Sequence, residues 1–97
     1  MPRFPVYRLD YLEDARRLGV VPGTPAWRDV KRVRQALERE ELPGPGDRYT
    51  YVPDPDESPN AVRTLAYVRR VPRRNLWIWY IATDDGLQLV ALTDEPP

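Results

Sequence analysis

The sequence predicts a single α+β domain: a strand, two helices and then an antiparallel β-meander, with the helices packed on one face of the sheet. Three observations predict it. Twelve prolines stand at 2, 5, 22, 25, 43, 45, 53, 55, 59, 72, 96 and 97, leaving proline-free windows at 6–21, 26–42, 60–71 and 73–95. Proline neither continues a helix nor donates to a central ladder, so regular elements belong in those windows. The first half of the chain shows apolar residues at helical spacing, and the last third shows strand-like alternation rich in aromatic and β-branched residues. A chain of 97 residues supports one core, with roughly 60–65% of its unfolded surface buried, so residues 1–97 form one domain.

Phe4 to Leu9 reads as a short strand, and a short helix follows. Asp10 with Glu13 has the form of a capping box, Tyr11, Leu12, Ala15 and Leu18 share one face, and Gly19 supplies a left-handed stop. The second helix has Thr24 as N-cap and Pro25 at its first position. Trp27, Val30, Val33 and Leu37 make its apolar stripe, and Pro43-Gly44-Pro45-Gly46 ends it. Its N-terminal half carries Arg28, Lys31, Arg32 and Arg34 and its end carries Glu38, Glu40 and Glu41, the reverse of what the helix dipole favours. Such a basic half suits an anion or an acidic partner as well as a plain solvated face.

Residues 43–60 read as an irregular connection with five prolines and the acids Asp54, Asp56 and Glu57, interrupted by a brief strand at Tyr49-Thr50-Tyr51-Val52. The meander then runs Ala61 to Val71, a turn at Pro72-Arg73-Arg74-Asn75, Leu76 to Thr83, a hairpin at Asp85-Gly86, and Leu87 to Thr93. Pairing Val71 with Leu76 and Asp84 with Leu87 sorts the side chains onto two faces. Val62, Thr64, Ala66, Val68, Trp77, Trp79, Ile81, Val90 and Leu92 fall on one face, which is expected to meet the helices. Leu65, Tyr67, Ile78, Tyr80, Leu89 and Ala91 fall on the other with Arg63 and Arg69, a mixture suited to stacking on bases, gripping phosphates or docking a protein.

Several function classes are excluded by composition. The chain has no Cys and no His, so thiolate or imidazole metal sites, disulfides and His-based catalysis are absent. Cofactors and metal ions are not expected, and the carboxylates at 54 and 56 read as a solvated loop. The apolar fraction of 41% beside 31% charged residues suits a folded globule. No membrane-length apolar run occurs, and the start lacks a signal-peptide core, which leads to a cytoplasmic expectation. Arg outnumbers Lys, whose one instance is Lys31, which fits the codon bias of a GC-rich genome or a thermophile.

Net charge is zero, yet Arg63, Arg69, Arg70, Arg73 and Arg74 lie within residues 63–74 without an acid, between acidic segments. Together with Lys31 they are the candidate RNA- or partner-binding cations.

The run Ala66-Tyr67-Val68-Arg69-Arg70-Val71, a short turn, Leu76-Trp77-Ile78-Trp79-Tyr80-Ile81, an acidic-Gly turn and Leu87-Gln88-Leu89-Val90-Ala91-Leu92, taken with the order of elements, resembles the RelE/ParE superfamily of bacterial toxin domains. The resemblance implies an antitoxin peptide as partner. In RelE-like members it also implies mRNA cleavage on the ribosome, by attack of a ribose 2′-hydroxyl on the next phosphate. Arg69 matches the strand arginine that would neutralise the phosphorane, Arg73 and Arg74 match the basic turn, and Tyr67 and Tyr80 would stack on a base or relay protons. The end at Asp94-Glu95-Pro96-Pro97, the neutral charge and the long 43–60 connection differ from the family pattern. The reading of a toxin-type domain acting on RNA or a host enzyme therefore stands beside that of a non-enzymatic interaction module, either regulatory or a phage accessory protein, with a homodimer among its forms.

Overall fold

The computed structural model describes residues 2–52, 64–84 and 86–97. The elements follow in the predicted order: β1 (Phe4–Tyr7), α1 (Leu9–Arg17), α2 (Pro25–Arg39), β2 (Arg48–Val52), β3 (Thr64–Arg70), β4 (Trp77–Ala82) and β5 (Gly86–Thr93). The five strands form one sheet in the order β1-β5-β4-β3-β2, with β1 parallel to β5 and the other pairs antiparallel. Among the described residues, no helix is long and apolar enough to cross a membrane, and no group of three or more His, Cys, Asp or Glu is placed to hold a metal ion. The acids at 54–57, together with Val62, Arg63 and Asp85, lie outside the described residues.

The second helix forms as its sequence dictates. Thr24 Oγ1 accepts from Trp27 N–H at 3.2 Å, Pro25 occupies the first turn, and Val30, Val33 and Leu37 are buried along one stripe. The first helix starts differently from the expected capping box: Arg8 is its N-cap, its side chain makes no capping bond, and Asp10 lies inside the first turn. Gly19 takes φ 74° just after the helix, as the left-handed stop requires.

The expected pairing across the first hairpin holds, with Val71 N–H donating to Leu76 O at 2.8 Å. In the second hairpin Thr83 N–H donates to Gly86 O at 3.0 Å and Ala82 pairs with Leu87, two positions earlier than the expected Asp84. Farther along, Trp79 faces Ala91 while Tyr80 faces Leu89, so Val90 is the extra residue of a bulge. A bulge reverses the side-chain alternation beyond it. Leu92 thus joins Ile78, and Ala91 joins Trp79.

The helices cover the face opposite to the one expected. Tyr11, Val30, Val33 and Leu37 form one buried cluster with Val71, Leu76, Ile78, Tyr80, Leu87, Leu89 and Leu92, with Tyr67 packed at its margin. Trp77, Trp79 and Ile81, expected under the helices, lie on the helix-free face and are only half-buried. Two causes explain the correction. The bulge moves Leu92 to the Ile78 side, and the Arg69 guanidinium and Tyr80 hydroxyl, expected to face bases and phosphates, are paired with Asp47 and Glu40.

Candidate functional site

Arg69 is the side chain on which the catalytic expectation rested, and its surroundings are built by two segments ahead of it in the chain. The turn at 44–47 and the end of α2 bring two carboxylates to its guanidinium. Nε and Nη2 donate to Asp47 Oδ1 and Oδ2 at 2.8 and 2.9 Å, and Nη1 donates to Glu40 Oε2 at 2.9 Å. Asp47 Oδ2 also accepts from the Tyr80 hydroxyl and, at 3.0 Å, from Gly44 N–H. A Cβ at residue 44 would collide with Arg69 Nη2, so glycine is needed there for close approach rather than for backbone freedom. The Asp47 and Arg69 side chains are 4% and 18% exposed.

The electrostatics match a closed network. Burial pushes the Asp47 carboxyl up, but hydrogen bonds from Arg69, Tyr80 and Gly44 outweigh it and hold the group below the usual carboxylate value. Burial works against the Arg69 charge, and its two carboxylates more than restore it, leaving the guanidinium more firmly protonated than usual. The Tyr80 phenol is raised by burial and then by its bond to Asp47. Tyr67 lies beside it, with ring centroids 5.9 Å apart.

The remaining predicted cations scatter. Arg74 Nε donates to Asp29 Oδ2 at 2.6 Å, and that bond, ahead of the smaller burial effect opposing it, lowers the Asp29 pKa. Arg73 sits exposed in the β3–β4 turn with φ 65°. Lys31 lies on α2 with Nζ 4.8 Å from the centroid of the Trp27 ring. Arg70 is on the helix-free face, its guanidinium 5.5 Å over the Trp77 ring, with Nε donating to Arg74 O at 3.0 Å.

That face holds groups not singled out as functional from sequence. The register places Arg48 beside Val68, Val68 beside Trp79, and Arg70 beside Trp77. Arg48, Val68, Arg70 and Trp77 line a hollow of about 310 Å³ together with Pro96 and Pro97. At the other end of the same face β1 presents Phe4 and Val6, 74% and 50% exposed, alongside Gln88. Strand alternation was the available signal for Arg48; the two tryptophans were read as core because large apolar side chains default to burial. Comparison of the chain with protein-family models, with curated proteins and with solved structures found no match.

Proposed function

We propose that the chain is a non-enzymatic protein-interaction module that docks its partner on the helix-free face of the sheet. The observation that carries this reading is the composition of that face: Phe4 and Val6 well exposed, Trp77 and Trp79 half-buried, and Arg48 and Arg70 exposed at one end. Aromatic side chains with arginine are the combination enriched where protein partners bind, and they concentrate binding energy there. The partner chemistry that fits is an apolar segment with acidic flanks, the rings receiving the apolar side chains and the two guanidinium groups the carboxylates. Supporting the absence of catalysis, the Arg69 guanidinium and the Tyr80 proton already serve Asp47, so neither is available to a phosphorane or a leaving oxygen.

A second reading rests on the same two arginines: with Trp77 in the same hollow, they could stack and neutralise single-stranded RNA, as the RelE/ParE resemblance suggests. Selection of displayed random peptides on the immobilised chain separates the two. The protein reading expects enriched sequences that join apolar residues to Asp or Glu, with binding weakened at least about tenfold by Trp77→Ala. It is overturned by a chain that retains no peptide and instead binds a short single-stranded RNA with affinity falling steeply as salt rises. Growth arrest on expression in a bacterial host, relieved by Arg70→Ala, would favour the toxin form of the RNA reading.

A further inference from the structure

We infer that the groove between α1 and α2, away from the helix-free sheet face, binds a small organic anion with a flat aromatic body. The groove encloses about 340 Å³, within the range of roughly 300–1,000 Å³ common for small-molecule sites. Its walls carry three rings, Tyr7 from β1, Tyr11 from α1 and Trp27 from α2, and three cations, Arg16, Lys31 and Arg34. Among the described residues, no carboxylate lines it and none of the three cations belongs to an ion pair. The contrast with Arg69 and Arg74, each held by an acid of this chain, is direct.

Arg34 is the second and independent sign. Its Nε is buried and has no hydrogen-bond partner among the described residues, while its guanidinium stands 5.5 Å over the Tyr7 ring. No carboxylate among the described residues forms an ion pair with this guanidinium, and an anionic oxygen in the groove would supply its counter-charge. Lys31, placed over Trp27 on the same helix as Arg34, offers a second positive charge, and Arg16 lines the groove from α1. Burial, partly offset by the Arg34 charge, pushes the Tyr11 phenol up to about 12, so at neutral pH it keeps its proton. Leu12 and Val21, 51% and 40% exposed, give the mouth an apolar rim. Flat ring walls beside converging cations select a ligand that is apolar over most of its surface and anionic at one end, such as an aryl carboxylate or an aryl phosphate.

The test is titration of the full chain with naphthoate and with its neutral analogue naphthalenemethanol, followed by amide and indole NMR shifts. The expected result is saturable binding of naphthoate with Kd below about 1 mM, shifts centred on Tyr7, Tyr11, Trp27 and Arg34, and affinity for the neutral analogue at least about tenfold weaker. Arg34→Gln is expected to weaken naphthoate at least about tenfold; should that variant not fold, Lys31→Gln on the groove wall is expected to weaken it by about threefold or more. Phenyl phosphate run in parallel distinguishes a carboxylate from a phosphate ligand. Equal binding of charged and neutral analogues, shifts centred on Trp77 and Trp79, or no saturation would each overturn the inference.

Discussion

Arg69 and Arg70 are neighbours on β3 and have opposite surroundings. Arg69 points to the helix side, meets two carboxylates and is held above its ordinary pKa; Arg70 points to the open side, rests on Trp77 and is exposed. Strand alternation alone sends them to different faces. The difference teaches that a basic run on a strand should be divided by face before it is counted as an electrostatic footprint. Of the four described arginines in residues 69–74, two are matched by acids, leaving Arg70 and Arg73 to act outward.

The sharpest way to break the comparison is to remove the acid that makes Arg69 internal. Asp47→Asn leaves a largely buried guanidinium with the half-exposed Glu40 as its remaining carboxylate, and about 2–3 kcal/mol of stability is expected to be lost in urea unfolding at pH 7. The sign of the pH dependence follows from the depressed Asp47 pKa. The carboxylate contributes fully above its unfolded value of about 3.9, and that contribution disappears as pH falls through the lower folded value. The gap between wild type and Asp47→Asn is therefore constant from about pH 5 upward and narrows below about pH 4. A gap that persisted undiminished to about pH 2 would mean that the charge of Asp47 is not what holds the network.

Gly44→Ala attacks the same network from the backbone. The added methyl group meets Arg69 Nη2, and the guanidinium must leave its plane with Asp47 to make room, for an expected loss of about 1–2 kcal/mol. If instead the variant matches wild type in urea, the turn at 44–47 yields easily and the clamp is looser than its hydrogen bonds suggest.

The order of elements, the Thr24 cap, the α2 stripe and the Val71–Leu76 pairing were all readable because each depends on residues close in sequence. The orientation of the sheet was not. Both faces carry enough apolar side chains to be a core, and the choice depends on Asp47 lying 22 residues from Arg69 and 33 from Tyr80, contacts that no local pattern encodes. The bulge at Val90 has no signature either, since its neighbours are aliphatic on both sides. The α1–α2 groove was half visible: the basic start of α2 suggested an anion, whereas Tyr11 and Trp27 looked like ordinary core.

Arg73, in the turn that joins β3 to β4, adopts φ 65°, a region that favours glycine. Arg73→Gly is expected to raise stability by about 0.5–1 kcal/mol, because relief of the left-handed strain exceeds the extra entropy of glycine in the unfolded chain. A neutral or negative result would locate a compensating contact of the Arg73 side chain.

The smallest stability effect is expected at Arg70 itself. Arg70→Gln removes a guanidinium stacked on Trp77 and a hydrogen bond to Arg74 O, both at an exposed position, so the unfolding midpoint should shift by no more than the equivalent of about 0.5–1 kcal/mol. The same substitution should weaken binding of an acidic, apolar peptide about tenfold, since Arg70 lines the hollow with Arg48 and is placed to meet a carboxylate. A variant that binds normally but unfolds as readily as Asp47→Asn would reverse the comparison: Arg70 would then be a structural residue, and adjacent arginines of opposite facing would share one role.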